Sequence, residues 1–246
     1  MTRLVSNADG IDGRDVRQGG TWTPRQRLKN DALWLLATGA FSATGHLSRP
    51  VLRALGATVG AFTWALLARE RRIATANVAR ALPELDEAAR RRLVRRAYLA
   101  LGKNLGDAVW SLAPSRRAPP LPFAPGARDV LDAALRERRG VVFASAHLGP
   151  WESVAATLAC AGLPLTVVAR EPYDPRLTRL YERLRGGQGV RVVFRGAPGA
   201  ATTMLRALRA GGMLGIPMDI ASRVPSVDVP LLGSLARTPW PPRRRS

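Results

Sequence analysis

The chain has 246 residues, room for one good-sized domain or for one domain with a smaller helical section beside it. Thirty-eight Lys and Arg oppose eighteen Asp and Glu, and the resulting +20, almost all from Arg, implies an acidic partner such as nucleic acid, anionic lipid or an acidic protein. A single cysteine, Cys160, excludes an intrachain disulfide and a cysteine metal site, and its neighbours Ala159 and Ala161 predict a buried free thiol.

Residues 1–28 are polar and Gly-rich, which predicts a disordered tail with neither the apolar core nor the cleavage site of a signal peptide. Residues 29–115 predict a helical, membrane-associating section. Its apolar runs, 32–47 and 54–68, fall short of the roughly 20 residues a spanning helix needs. They predict a hairpin of helices lying in the membrane interface, with Trp34, Phe41, Phe62 and Trp64 as interface aromatics and Arg49 and Arg53 meeting anionic headgroups. The competing reading is a pair of buried helices in a bundle. Asp86 predicts the N-cap of a further helix, which carries Arg90, Arg91, Arg92, Arg95 and Arg96 and continues to about residue 112. Residues 113–126 are proline-rich and predict a linker.

From residue 116 to 246 the pattern is that of an α/β domain. Helix 129–138 precedes an apolar strand at 141–145. Helices at 151–161, 175–185 and 200–210 then alternate with strands at 165–169, 190–194 and 213–218. Strands of near-continuous apolar character alternating with helices predict a mainly parallel sheet covered on both faces, with ligands beyond the carboxyl ends of its strands.

His147 falls at such an end, in Ala146-His147-Leu148-Gly149-Pro150-Trp151-Glu152. On one continuous helix His147 and Glu152 would diverge. With His147 on a turn eased by Gly149, Pro150 at the first helical position and Glu152 in the first helical turn, the two can meet. A carboxylate on one ring nitrogen fixes the tautomer and leaves the other nitrogen to take a proton. A histidine that merely caps the helix is the competing reading. Arg170, at the end of a strand, can bind a phosphate bidentately, and Arg185 is either a substrate residue or a favourable charge at a helix C-terminus. Asp219 ends a strand on the same sheet edge as His147, where it can orient an arginine or a sugar hydroxyl. There is no phosphate-binding Gly-x4-Gly-Lys loop, no Gly-x-Ser-x-Gly elbow and no cluster of metal ligands. A nucleic-acid-binding module is the rival on charge alone. It accounts for neither the parallel-sheet pattern nor the apolar runs, and aromatic residues are sparse in the basic segments, so no nucleic-acid partner is expected.

His147-Leu148-Gly149-Pro150-Trp151-Glu152 after an apolar strand resembles the His-X4-Asp/Glu motif of lysophospholipid acyltransferases, and more closely the lipid A biosynthesis lauroyl/myristoyl acyltransferase family. In the same order, Arg71-Arg72, Asn77, Pro83-Glu84, Arg185 with Gly189, Gly211 with Pro217-Met218-Asp219, and Val229-Pro230 through Gly233 resemble that family's further motifs, over about residues 28–239. The resemblance implies a lysophospholipid-acyltransferase-like fold, with His147 as base, Glu152 as its orienting partner, and Arg185, Asp219 and, more weakly, Arg170 as substrate residues. It implies transfer of a fatty acyl chain from an acyl carrier protein or acyl-coenzyme A to a hydroxyl of a lipid A-type glycolipid, on the cytoplasmic face of the inner membrane. The anionic membrane surface and the lipid acceptor would be its partners, and it would need no cofactor, metal or acyl-enzyme. A related enzyme acting on a phospholipid or a mannosylated lipid would carry the same pair. Pro150 stands where the family commonly has Asn, and Ile220 where Gln is common. Family members continue beyond residue 239, which implies a domain incomplete at its C-terminus and raises the alternative of an inactive fragment.

Overall fold

The computed structural model describes residues 20–43, 46–113, 116–117, 119–172, 174–219 and 226–239. Most of the predicted tail, Ile220 and residues 240–246 lie outside them. Helix α1 (Pro24–Ala43) begins inside the stretch read as tail, and the reason is local. The Gln26 N–H donates to Thr23 Oγ1 at 3.3 Å while the Thr23 N–H donates to Gln26 Oε1 at 2.9 Å, a reciprocal cap that fixes the first turn before Pro24 continues it.

Three more helices follow: α2 (Arg49–Leu66), α3 (Ala68–Ala81) and α4 (Glu87–Trp110). The Asp86 side chain caps α4 as expected, accepting from the Ala89 N–H at 2.6 Å. The hairpin prediction is corrected, because α2 packs chiefly on α4. Gly56 and Gly60 lie against Gly102 and Tyr98, and Gly106 lies against Leu52, so the helices run antiparallel with their backbones touching. A Cβ at Gly56 or Gly102 would strike the carbonyl oxygen of the other. At the Gly106 end, Arg49 Nε donates to Asp107 Oδ1 at 2.7 Å and Arg53 Nη1 to Asp107 Oδ2.

Neither apolar run is a buried helix. Phe62 is 63% exposed and Leu66 74%, and Leu35 and Leu36 are likewise exposed. No described helix is long and apolar enough to cross a membrane alone; α2 and α3 pass that test only together, bent by 91°. Of the four aromatics read as an interface belt, only Phe62 faces outward. Arg176 covers Trp34, Arg183 covers Phe41, and Arg71, Arg91 and Arg95 gather on Trp64 at 5.4–5.7 Å. Arginine therefore meets aromatic rings through folding, where the linear sequence keeps them apart.

The α/β part agrees closely with the sequence. Helices α5 (Ala127–Arg136), α6 (Trp151–Cys160), α7 (Pro175–Gly187) and α8 (Ala200–Arg209) alternate with strands β1 (Val141–Ser145), β2 (Leu165–Arg170), β3 (Arg191–Arg195) and β4 (Met213–Pro217). The four strands form a parallel sheet in the order β1-β4-β2-β3. Met213, fully buried, centres a core with Leu158, Leu163, Leu165 and Val190, and Phe123, Leu131 and Leu135 close it from the linker and α5. The linker is pinned to α6 by the Leu121 N–H, which donates to Thr157 Oγ1 at 2.9 Å. Cys160, expected to be buried, is exposed, because α6 buries Ala156, Thr157 and Leu158 and ends at Cys160. A separate antiparallel hairpin, β5 (Ser226–Leu231) and β6 (Ser234–Pro239), has no counterpart among the predicted strands. Its turn residues Leu232 and Gly233 both have positive φ, 48° and 74°, the geometry of a tight two-residue hairpin loop.

Candidate active site

The site is built where β1 and β4 end side by side. Ser145 pairs in register with Pro217, and the Met218 N–H donates to the Ser145 carbonyl at 2.9 Å, extending the ladder by one step. One residue further on β4, and two on β1, stand Asp219 and His147. Asp219 Oδ1 lies 2.9 Å from His147 Nδ1, and Asp219 Oδ2 accepts the His147 backbone N–H at 2.8 Å. One carboxylate thus fixes both the backbone and the ring of the histidine. The two side chains are 32% and 31% exposed, so the pair is open to solvent on one side.

Burial works to raise the Asp219 pKa, but the hydrogen bonds from the His147 ring and backbone outweigh it, and the carboxyl lies below its ordinary value. An ionised carboxylate on Nδ1 selects the tautomer with its proton there and leaves Nε2 unprotonated. Trp151 sets its ring edge-on to the imidazole, with centroids 5.3 Å apart and planes at 72°. Gly149, at φ 62°, supplies the left-handed turn that carries the chain from His147 into α6, with Pro150 at the N-cap, one place before the position expected for it.

Glu152 does not contact the histidine. It sits in the first turn of α6 as expected, but its carboxylate is taken by Arg185 from the last turn of α7. Arg185 Nη2 donates to Glu152 Oε1 at 2.7 Å and Nε to Oε2 at 3.1 Å, a bidentate pair. Arg185 is 11% exposed and Glu152 22%, and the guanidinium lies 5.5 Å from the centre of the Tyr181 ring. The predicted His147–Glu152 contact is therefore corrected to two pairs, His147–Asp219 and Glu152–Arg185. The physical reason is strand order: β4 lies beside β1 and presents Asp219 to the ring, while the helix start turns Glu152 towards α7. Arg185, read as either a substrate residue or a charge at a helix C-terminus, lies in the last turn of α7 and ties α6 to α7. Arg170 closes β2 in register with Arg195 of β3, on the same sheet edge but across β4 from His147.

One contributor gave no signal in the sequence. Asn104 of α4 donates from Nδ2 to the Gly149 carbonyl at 2.9 Å, tying the helical section to the turn that holds His147. Among the described residues no group of acidic, histidine or cysteine side chains has the arrangement of a metal site.

What this arrangement can do is move a proton at Nε2 of a histidine whose other nitrogen is held by a carboxylate. The chain finds no match among curated proteins. The family model for bacterial lipid A biosynthesis acyltransferases matches residues 23–243, from the cap of α1 through the β5–β6 hairpin. That match takes in both the helical section and the α/β part, and with it the His147 turn and Asp219: the chain belongs to the bacterial lipid A biosynthesis acyltransferase family and is an acyltransferase.

Proposed function

We propose that this acyltransferase moves a fatty acyl chain from an acyl thioester, on acyl carrier protein or coenzyme A, to a hydroxyl of a lipid A-type glycolipid at the cytoplasmic face of the inner membrane. The observation that carries the chemistry is the hold of Asp219 on His147 Nδ1. Nε2 accepts the proton of the acceptor hydroxyl as its oxygen attacks the thioester carbonyl. The new C–O ester bond forms, the C–S bond breaks, and the departing thiolate takes the proton back from the imidazolium. Asp219 stabilises that imidazolium while it lasts, and the cycle needs no acyl-enzyme.

Glu152 and Arg185 act as positioning residues, locking the start of α6 against the end of α7 beneath the His147 turn. The exposed apolar faces of α1 and α2, together with the arginine excess, support placement on an anionic membrane, where a lipid acceptor and a soluble donor can meet. An acidic carrier protein suits the same basic surface.

The test is His147→Ala in the full chain, purified in detergent and assayed for transfer from a fatty acyl thioester to a glycolipid acceptor, with thiol release read alongside. Transfer is expected to fall by about 10²–10⁴, the usual size of general-base catalysis. Transfer at the wild-type rate would overturn the assignment.

A further inference from the structure

The basic residues at the Asp107 end of α2 and α4 do more than join the two helices. Arg49, Pro50, Arg53, Ala54 and Lys103 line an open cleft of about 470 Å³. One carboxylate, Asp107, with its side chain only 9% exposed, uses one oxygen on Arg49 Nε and the other on Arg53 Nη1. A helix-to-helix tie needs one such pair. Here two guanidiniums share a single carboxylate whose oxygens are both engaged, Lys103 lines the same cleft, and each guanidinium has further N–H donors beyond the one given to Asp107. Asp107 holds the two guanidiniums in orientation, and Lys103 adds an exposed ammonium at the cleft wall. Such a set matches a tetrahedral oxyanion: forked donors for two oxygens and a point charge for the third.

Its place in the fold relates it to the reaction. Lys103 is followed in α4 by Asn104, whose side chain holds the Gly149 carbonyl in the His147 turn. The cleft and the catalytic turn are therefore served by the same turn of α4. We propose that Arg49, Arg53 and Lys103 form a binding site for a phosphate ester, carried by one of the two substrates of the transfer. The inference that a substrate brings this phosphate rests on the acyl-transfer reading; the anion site itself does not.

Two measurements test it. In the first, the full-length protein in a neutral detergent is titrated with inorganic phosphate and followed by ³¹P line broadening. Lys103→Ala, and Arg53→Lys, which keeps the charge but removes the fork, are each expected to weaken binding at least tenfold. Lys103 is the decisive position, because it takes no part in the α2–α4 tie and its replacement leaves Asp107 fully paired. Unchanged phosphate affinity in a folded Lys103→Ala protein would overturn the proposal.

The second measurement finds the source of the phosphate. KM is compared between wild type and Lys103→Ala for a phosphorylated glycolipid acceptor and the same lipid after phosphatase treatment, and for acyl-coenzyme A against acyl-pantetheine. A rise confined to the phosphorylated acceptor assigns the site to the glycolipid, and a rise confined to acyl-coenzyme A assigns it to the donor. No rise for either removes the substrate role. A wild-type protein that transfers no acyl group yet binds phosphate through Lys103 separates the two readings: the anion site stands and the acyl-transfer reading falls.

Discussion

Asp219 reaches His147 because the strands that precede them are neighbours in register: Ser145 of β1 faces Pro217 of β4, and the residues just beyond each strand converge on one another. The carboxylate approaches from a strand rather than from the helix that follows the histidine. It binds the ring and the peptide N–H of His147 together, so a small shift of β4 against β1 would disturb both contacts.

Replacing Asp219 by Asn keeps the shape and removes the charge that steadies the imidazolium. The amide can also favour the wrong tautomer by donating to Nδ1. Transfer by Asp219→Asn is therefore expected to drop by about 10²–10⁴, with little change in KM for either substrate. Glu152→Gln at the same protein concentration should cost less in kcat, since Glu152 does not touch the ring. Equal losses in the two variants, measured as initial rates with saturating substrates, would return the orienting role to Glu152.

The depressed pKa of Asp219 has a definite sign in stability. The folded chain protonates this carboxyl less readily than the unfolded chain does, so the stabilisation is fully present above the unfolded carboxylate range, about 3.9. It is lost as pH falls through the lower, folded value. Thermal unfolding of wild type and Asp219→Asn across acidic pH should show a gap between the two melting curves that closes as the medium becomes more acid. A gap that widens on acidification would contradict the depressed value.

Glu152 and Arg185 form a mostly buried bidentate pair, and removing one partner strands the charge of the other. Arg185→Met is expected to destabilise the chain by about 3 kcal/mol, at the low end for broken buried ion pairs because Glu152 retains some solvent contact. In the double variant Arg185→Met with Glu152→Gln, much of that loss should be recovered, since no bare charge remains. Denaturant melts of the four proteins in a double-mutant cycle measure the coupling, and a coupling near zero would deny the pair its positioning role.

Much of this architecture is legible in the linear sequence, and the limits have a common cause. The strands at 141–145, 165–169 and 213–218 and the helices between them follow from local apolar periodicity and turn residues, and they appear within one or two residues of expectation. The turn at Gly149 is legible for the same reason, as a glycine followed by a proline before a helix. Strand order is not local. Nothing near residue 213 says that β4 inserts between β1 and β2, and that one fact decides whether Asp219 or Glu152 meets His147. The same holds for α2, whose partner is α4 rather than its sequence neighbour α1, and for Asn104, an isolated polar residue until the fold brings Gly149 to it. Thr23 and Gln26 are the opposite case: their spacing is a local helix-start signature, readable without any coordinates.

The α2–α4 contact makes the sharpest stability prediction, because it depends on the absence of side chains. Gly102 presses against the Gly56 carbonyl, and Gly106 against Leu52. Alanine has the higher helix propensity, by about 1 kcal/mol, so an exposed glycine in mid-helix would be improved by Gly→Ala. Here the added methyl meets backbone that no rotamer change can move, and the helices must separate along their length. That parts Arg49 and Arg53 from Asp107 as well. Gly102→Ala is accordingly expected to destabilise by about 1–3 kcal/mol, as overpacking of a tight core does. Gly39, which has nothing near its hypothetical Cβ and lies inside α1, is the control. Gly39→Ala should leave stability unchanged or raise it. Melting both variants beside the wild type decides the matter: a Gly102→Ala protein as stable as Gly39→Ala would mean that the two helix backbones do not touch.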